Sequence, residues 1–231
     1  MRGCQRIVEH GIGHGARPPL EIGRGETAVE WQNDRLHRSQ PFAHRIRTSA
    51  PVVAYDIFPY GGGRSAITSA TLLLPTTAWD TNYIGVAPYG TTVISPDFQS
   101  WLQIVAAEDN TQVTISPTYA IVGGNGVPGT GAGQPMTYTI NRGQVLQFTQ
   151  DQELSGSPIQ ADKPIGVFGG NRCMTIPNGA SACDAGHQMI PPVRALGNEY
   201  VGVRHRDRAA GANESPPWRI VGAVDGTTLT Y

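Results

Sequence analysis

Four side chains able to bind a metal or undergo redox chemistry fall close together: Cys173, Cys183, Asp184 and His187, within "GNRCMTIPNGASACDAGHQMIPPV". As two thiolates, a carboxylate and an imidazole they would offer four ligands to a metal. Zinc sites, however, favour CxxC-type pairs, and these cysteines are ten positions apart. As a disulfide they would close a loop of Gly, Asn and Pro that strands alone leave unsupported. On the chain-entropy view such a bridge contributes about 2–3 kcal/mol. The spacing suits this loop staple, so Cys173–Cys183 is expected as a disulfide, with no metal site and no cofactor. Cys4 has no evident partner.

Elsewhere the chemical signals are weak. "GNGVPG" (Gly124–Gly129) satisfies GxGxxG, but a dinucleotide site needs those glycines between a strand and a helix. Here more glycines follow, then a strand, so a flexible linker is the better reading. The chain has no Gly-Lys-Ser/Thr, no GxSxG and no HExxH. Asp109 and Asp225 stand in the turns "EDNT" and "VDGT", where Asp commonly bonds its own backbone. One carboxylate per turn does not make a calcium loop. The basic clusters "RLHR", "HRIR" and "RHRDR" read as solvated strand ends, with binding of a polyanion such as an acidic glycan as the alternative. No acid, base and nucleophile assemble, which argues against an enzyme. A net charge of −1 gives no field for nucleic acid. No run approaches the length of a membrane span. "MRGCQRIVEHGIGHG" lacks the apolar core of a signal peptide, so the true start is expected to be missing.

What could position such residues is a set of short strands. The sequence holds 29 Gly and 18 Pro in 231 residues and no long amphipathic helical run. After a poorly ordered leader (1–19), β signals recur as "ETAVEW", "AHRIRT", "PVVAYDIF", "ITSATLLL", "NYIGVAP", "WLQIVAAE" and "TQVTISP". A Gly-rich linker or loop (122–135) interrupts them. They resume as "TYTINRG", "QVLQFTQ", "SPIQADKPIGVF", "QMIPPV", "EYVGVRH", "WRIVGAV" and "TTLTY". "TTAWDTNY" and "VRALGNEY" each have room for one short helical turn.

The two series are related. Gln103–Ile115 and Arg219–Tyr231 share six of thirteen residues at an offset of 116. Leu74–Val86 and Pro191–Val203 share five of thirteen at 117. "APVVAY" resembles "KPIGVF" at 113, and Arg24-Gly25-Glu26 precedes Arg142-Gly143-Gln144 by 118. Four matches in one order indicate an internal duplication. The expected fold is all-β, a tandem pair of antiparallel β-sandwich-like modules (20–121 and 136–231), each with its own core. The alternative is a β-propeller-like arrangement of duplicated blades. Trp101 and Trp218 open matching strands and are expected to be buried.

These segments also carry a resemblance. "TSAPVVAYDIFPYGG…SATLLLPTTAWDTNYIGV", "VAAEDNTQVTISP", "YTINRGQVLQFTQDQELSGSPIQADKPIGVFGGNRC" and "ACDAGHQMIPPVRALGNEYVGV" are together similar to the IgGFc-binding protein N-terminal domain. "PPWRIVGAVDGTTLTY" most resembles its bacterial, myxobacterial-like branch. In one departure, Ala185 and Gly186 separate the Cys-Asp pair from His187, which vertebrate members place directly after it. The resemblance implies a non-catalytic extracellular binding or adhesion module, secreted or at the cell surface, and a fragment of a larger protein. Its partner would be a protein or glycan ligand. The alternative function is a carbohydrate-binding module for matrix polysaccharide, with Trp31, Trp79, Trp101 and Trp218 as the candidate aromatic platform.

Overall fold

The computed structural model describes residues 29–30, 43, 45–58, 69–88, 99–124, 126–176, 182–204, 206–207, 209, 211 and 217–230. The expected leader, Cys4 and Trp31 lie outside these. Among the described residues the structure is β with two short 3-10 turns and no α-helix.

Eleven strands follow in chain order: β1 (Val29–Glu30), β2 (Arg45–Ile46), β3 (Ala54–Phe58), β4 (Ser69–Leu73), β5 (Asp80–Ile84), β6 (Ser100–Ala106), β7 (Thr111–Ile115), β8 (Met136–Ile140), β9 (Val145–Gln150), β10 (Pro158–Met174) and β11 (Asp184–Ile190). Every ladder between them is antiparallel. Seven strands make one sheet, in the order β8-β7-β10-β6-β9, with β5 and β11 also pairing β10. β10 can serve four partners because it is long and changes neighbours along its length. Its first part pairs β7 and β5, and its second part pairs β6 and β11. The sheet therefore curls into a nearly closed barrel.

Period-two burial shows why these sequences suit the sheet. Along β6, Leu102, Ile104 and Ala106 point into the core while the residues between them are only half-buried. β7 repeats this with Val113 and Ile115, and β8 with Tyr138 and Ile140. All these side chains join one apolar cluster with Ile159, Ile165 and Val167 of β10. The core is thus built across residues 122–135 rather than on either side of them. β8, β9 and the first half of β10 close over β5, β6 and β7.

Residues 121–130 form a small hairpin instead of a free tether, with antiparallel bridges Ile121↔Thr130 and Gly124↔Val127. Its glycines answer to close approach. A Cβ on Gly129 would lie 2.6 Å from the Ile121 carbonyl oxygen. The buried Gln150 side chain ties the hairpin down. Its Nε2 donates to the carbonyls of Ala120 (3.1 Å) and Gln152 (2.8 Å), and its Oε1 accepts from Val122 N–H (3.1 Å).

Two hairpins have matching geometry. In β3–β4, Ala54 faces Leu73 and Tyr55 faces Leu72; in β10–β11, Val167 faces Ile190 and Phe168 faces Met189. Each hairpin leads through a proline, Pro75 or Pro192, into a 3-10 turn, Thr76–Ala78 or Val193–Ala195. Both turns fall where short helical turns were expected. Fixed proline φ favours the start of such a turn.

The sequence also promised strands at "EYVGVRH", "WRIVGAV" and "TTLTY". The described residues there are in no ladder, although the Asp225-Gly226 turn is present. Burial of Trp218 fails too. It is 62% exposed, and Trp101 is only half-buried. The physical reason is that, among the described residues, no strand neighbours 217–230, so its alternating apolar face lacks a layer to bury against there. An offset of 116 moreover places Trp218 opposite Leu102 and not Trp101.

Candidate functional site

Asp184 and His187 both lie on β11, beside the second half of β10, which carries Cys173. Cys173 and Cys183 are joined as a disulfide with Cα atoms 5.1 Å apart, inside the range the bond requires. Cys173 is buried, and its N–H donates to the Oδ1 of buried Asn171 (2.8 Å) where the β10–β11 register shifts. That bulge brings the two cysteines together at the mouth of the hairpin. The four-ligand metal alternative loses its thiolates to this bond. Among the described residues no three His, Cys, Asp or Glu side chains are placed to hold a metal ion.

His187 turns away from the cysteines. Its Nε2 lies 3.2 Å from Asp56 Oδ2 on β3. Its ring stacks on Phe168 at 5.3 Å between centroids and tilts against Trp101 at 5.1 Å. Trp101 in turn covers Gly170, where any Cβ would overlap its indole. Ser69 stands nearby, but its hydroxyl serves the backbone: it accepts from His187 N–H at 3.0 Å, and the imidazole is not its partner. Ser, His and Asp are therefore neighbours without the nucleophile-to-base bond of a hydrolytic triad. With its side chain 16% exposed, His187 acts as a joint. It fastens the β3–β4 hairpin to β10–β11. Thr71 Oγ1, accepting from Met189 N–H at 2.7 Å, extends the same seam.

A second joint lies at the 3-10 turns. Arg194 Nε pairs with Asp80 Oδ2 at 2.8 Å, and its Nη2 donates to the Trp79 carbonyl at 3.1 Å. Trp79 Nε1 donates to the Leu74 carbonyl (3.1 Å) while its ring fills the space over Gly166. Behind it, the Tyr83 hydroxyl donates to the Ile165 carbonyl (2.6 Å) and accepts from Asp80 N–H (3.1 Å). Burial holds the Tyr83 phenol above its ordinary value, as it does for Tyr138.

The third feature is an open surface. Arg219 Nη1 pairs with Glu153 Oε1 at 2.6 Å and docks 218–222 against the turn Ser155-Gly156, forming a shallow groove. Trp218 and Ile220 stand 62% and 64% exposed beside it. Of the four tryptophans considered as a platform, the described ones are dispersed. Trp79 and Trp101 serve separate joints, and Trp218 alone among them faces outward.

Asp109 stands in a turn, but it bonds a different turn and not its own backbone. Its Oδ1 accepts from Arg142 N–H at 3.0 Å, linking the β6–β7 turn to the β8–β9 turn. Sequence reasoning missed the Asp56–His187 joint, since nothing local marks Asp56.

These features define a stapled, all-β domain whose polar clusters join strands. In agreement with that class, residues 69–231 match the family described as IgGFc binding protein. The match spans more than half of the chain, and the protein belongs to that family. No curated protein and no solved structure matches it. No helix of the described residues is long and apolar enough to cross a membrane.

Proposed function

We propose that this chain is a non-catalytic, extracellular binding module that serves adhesion by holding a protein ligand. The family match over residues 69–231 carries the reading. The Cys173–Cys183 disulfide supports it, because such bonds persist in oxidising compartments. The polar clusters support it as well, each being consumed by a structural bond: His187 by Asp56, Ser69 by backbone, Arg194 by Asp80.

One observation favours a second reading. Trp218 presents its ring at the surface, as a sugar-stacking residue would. The matrix-polysaccharide function would use it. Both readings are tested by passing the full chain over immobilised antibody Fc, native and enzymatically deglycosylated, and over a glycan array. Equal retention by both Fc forms supports a protein ligand. Retention only by glycosylated Fc or by array glycans, abolished in Trp218→Ala, supports the glycan. No retention on any surface removes Fc and the arrayed glycans as ligands.

A further inference from the structure

Trp79 and Trp101 each cover a glycine of β10, Gly166 and Gly170, but they differ at the indole N–H. Trp79 Nε1 donates to the Leu74 carbonyl. Trp101 Nε1 has no acceptor among the described residues and is not buried, so its N–H meets solvent. Its neighbours on the face of β6 away from the core are amides. Gln99, just before β6, and Gln103 flank it on alternate residues, and all three are half-buried. Across the ladder, β9 sets Thr149 opposite Trp101 and Gln147 opposite Gln103.

Hydrogen bonds hold these side chains in place. Gln103 Nε2 donates to Gln147 Oε1 at 2.8 Å, Gln147 Nε2 to Thr149 Oγ1 at 2.8 Å, and Gln99 Nε2 to Asp151 Oδ1 at 2.8 Å. The bonds fix the amide planes and use only part of their capacity, because a primary amide carries two N–H donors and an acceptor oxygen. The carbonyl oxygens of Gln99 and Gln103, the second N–H of each amide and the Thr149 O–H have no partner among the described residues. We propose that this strip of β6 and β9 is a subsite for an uncharged glycan. The Trp101 indole lies against a sugar ring, and the amides on either side bond its hydroxyls. The assignment rests on the glycan reading of the chain and adds to it a site other than Trp218.

The chemistry of the strip selects this class of ligand. A sugar hydroxyl both donates and accepts, and adjacent hydroxyls match the donor-and-acceptor edge of an amide. Alternate residues of a strand recur about every 7 Å, so a ring seated on Trp101 has an amide before it and another after it. An indole offers the apolar surface and the single donor that an amphipathic ring can use. The one charge on the strip is the Asp151 carboxylate, and none of its six residues is cationic. A uronate or sulfate would meet a like charge there with no counter-ion, which selects against acidic glycans. The outer face of β7–β8 supplies an internal control. It carries similar bonds, Thr114 to Thr137 at 2.8 Å and Thr139 to Gln112 Oε1 at 3.0 Å, but no aromatic ring stands between them.

Side-chain resonances of the full chain test this. The protein is titrated with gluco-, manno- and galacto-oligosaccharides, and with hyaluronan oligosaccharides as the acidic probe. Saturable shifts of the Trp101 indole N–H and of the Gln103 and Gln147 amides are expected with an uncharged probe, while Gln112 and Trp218 stay in place. Gln103→Ala with Gln147→Ala is expected to weaken that binding about tenfold or more, since two hydrogen-bonding groups are lost. Should the double variant fail to fold, the mapping on the unaltered chain still decides. Shifts confined to Trp218, or affinity that survives both glutamine changes in a folded variant, overturn this site and leave the glycan reading of Trp218 standing. Shifts at Gln112 as large as those at Gln103 mean general contact with polar strand faces and overturn the site. Stronger binding of hyaluronan overturns the uncharged class. No shift with any probe overturns the site and the glycan reading together.

Discussion

Residues 80–115 and 197–230 share one pattern of apolar alternation and differ in company. In the first, Ile104 and Val113 are sealed under neighbouring strands; in the second, Ile220 and Leu229 face outward. The difference teaches that alternation specifies a face and not a fate. A half-buried strand acquires its stability from cross-strand pairs and from the layer beneath. The largest expected effect breaks the comparison at its centre. Ile104→Ala leaves a cavity in the core and should cost about 2–5 kcal/mol in denaturant unfolding. Ile220→Ala in the open arrangement should stay within about 0.5 kcal/mol, as surface changes do. The pair of midpoints measures how far the two regions differ in burial.

The next effect concerns the hairpins. β10–β11 carries a disulfide and β3–β4 has none, although their registers correspond. Reducing the bond, or replacing both cysteines by Ser, should cost about 2–3 kcal/mol, since a short loop regains its freedom in the unfolded chain. The loss should appear as earlier thermal unfolding, and exchange should quicken first in Asp184–Ile190. An unchanged midpoint would mean that the hairpin is held by its seam with β4 and needs no staple.

Tyr83 and Tyr200 sharpen the comparison with pH. Burial raises the Tyr83 phenol, so its neutral form is the one the fold prefers. Its stabilisation is complete below the unfolded phenol value of about 10 and is lost as pH rises through the higher folded value. Unfolding midpoints should therefore hold steady to about pH 10 and then fall, with Tyr138 adding in the same direction. Tyr83→Phe should cost about 0.5–1.5 kcal/mol at neutral pH, for the lost bond to Ile165, and flatten the alkaline fall. Tyr200→Phe, at a hydroxyl that accepts from Gly197 N–H on an exposed residue, should cost less at neutral pH than Tyr83→Phe.

Much of this fold is legible in the residues themselves. Eleven strand segments were visible as β-branched and aromatic runs, both 3-10 turns as stretches with room for one short helical turn, and the disulfide as a spacing. What period-two patterning leaves out is the partner. Nothing in "VLQFTQ" says that it pairs with β6 across the Gly-rich hairpin, because inward alternation fits any neighbour of matching length. β10 also runs further than its reading. Gly169-Gly170 looks like a strand end, yet those positions are glycine because the Val86 carbonyl and the Trp101 indole occupy the side-chain space. Asp56 was invisible for the same reason. Its role exists only once two hairpins, distant in sequence, are laid side by side.

The smallest expected effect lies where the second region meets the β9–β10 turn. Arg219 holds the C-terminal segment to the β9–β10 turn through Glu153 at 2.6 Å, and both side chains remain about three-tenths exposed. Solvent screens such a pair, and ordering the long side chains offsets part of its attraction, so Arg219→Ala should cost about 0.2–1 kcal/mol. The other Glu153 oxygen is buried without a hydrogen-bond partner, so Glu153 is the more constrained member. Glu153→Gln removes the charge while keeping the shape, and should relieve the desolvation of that oxygen while weakening the bond to Arg219. Its net effect should be smaller than that of Arg219→Ala. Both should shrink as salt is raised from 0.05 to 0.5 M, by the ordinary shortening of the screening length. A local probe separates attachment from stability. Fluorescence of Trp218, the neighbour of Arg219, should become more quenchable by iodide in Arg219→Ala even where the global midpoint hardly moves. Unchanged quenching would show that residues 217–222 are held to the β9–β10 turn through more than this ion pair.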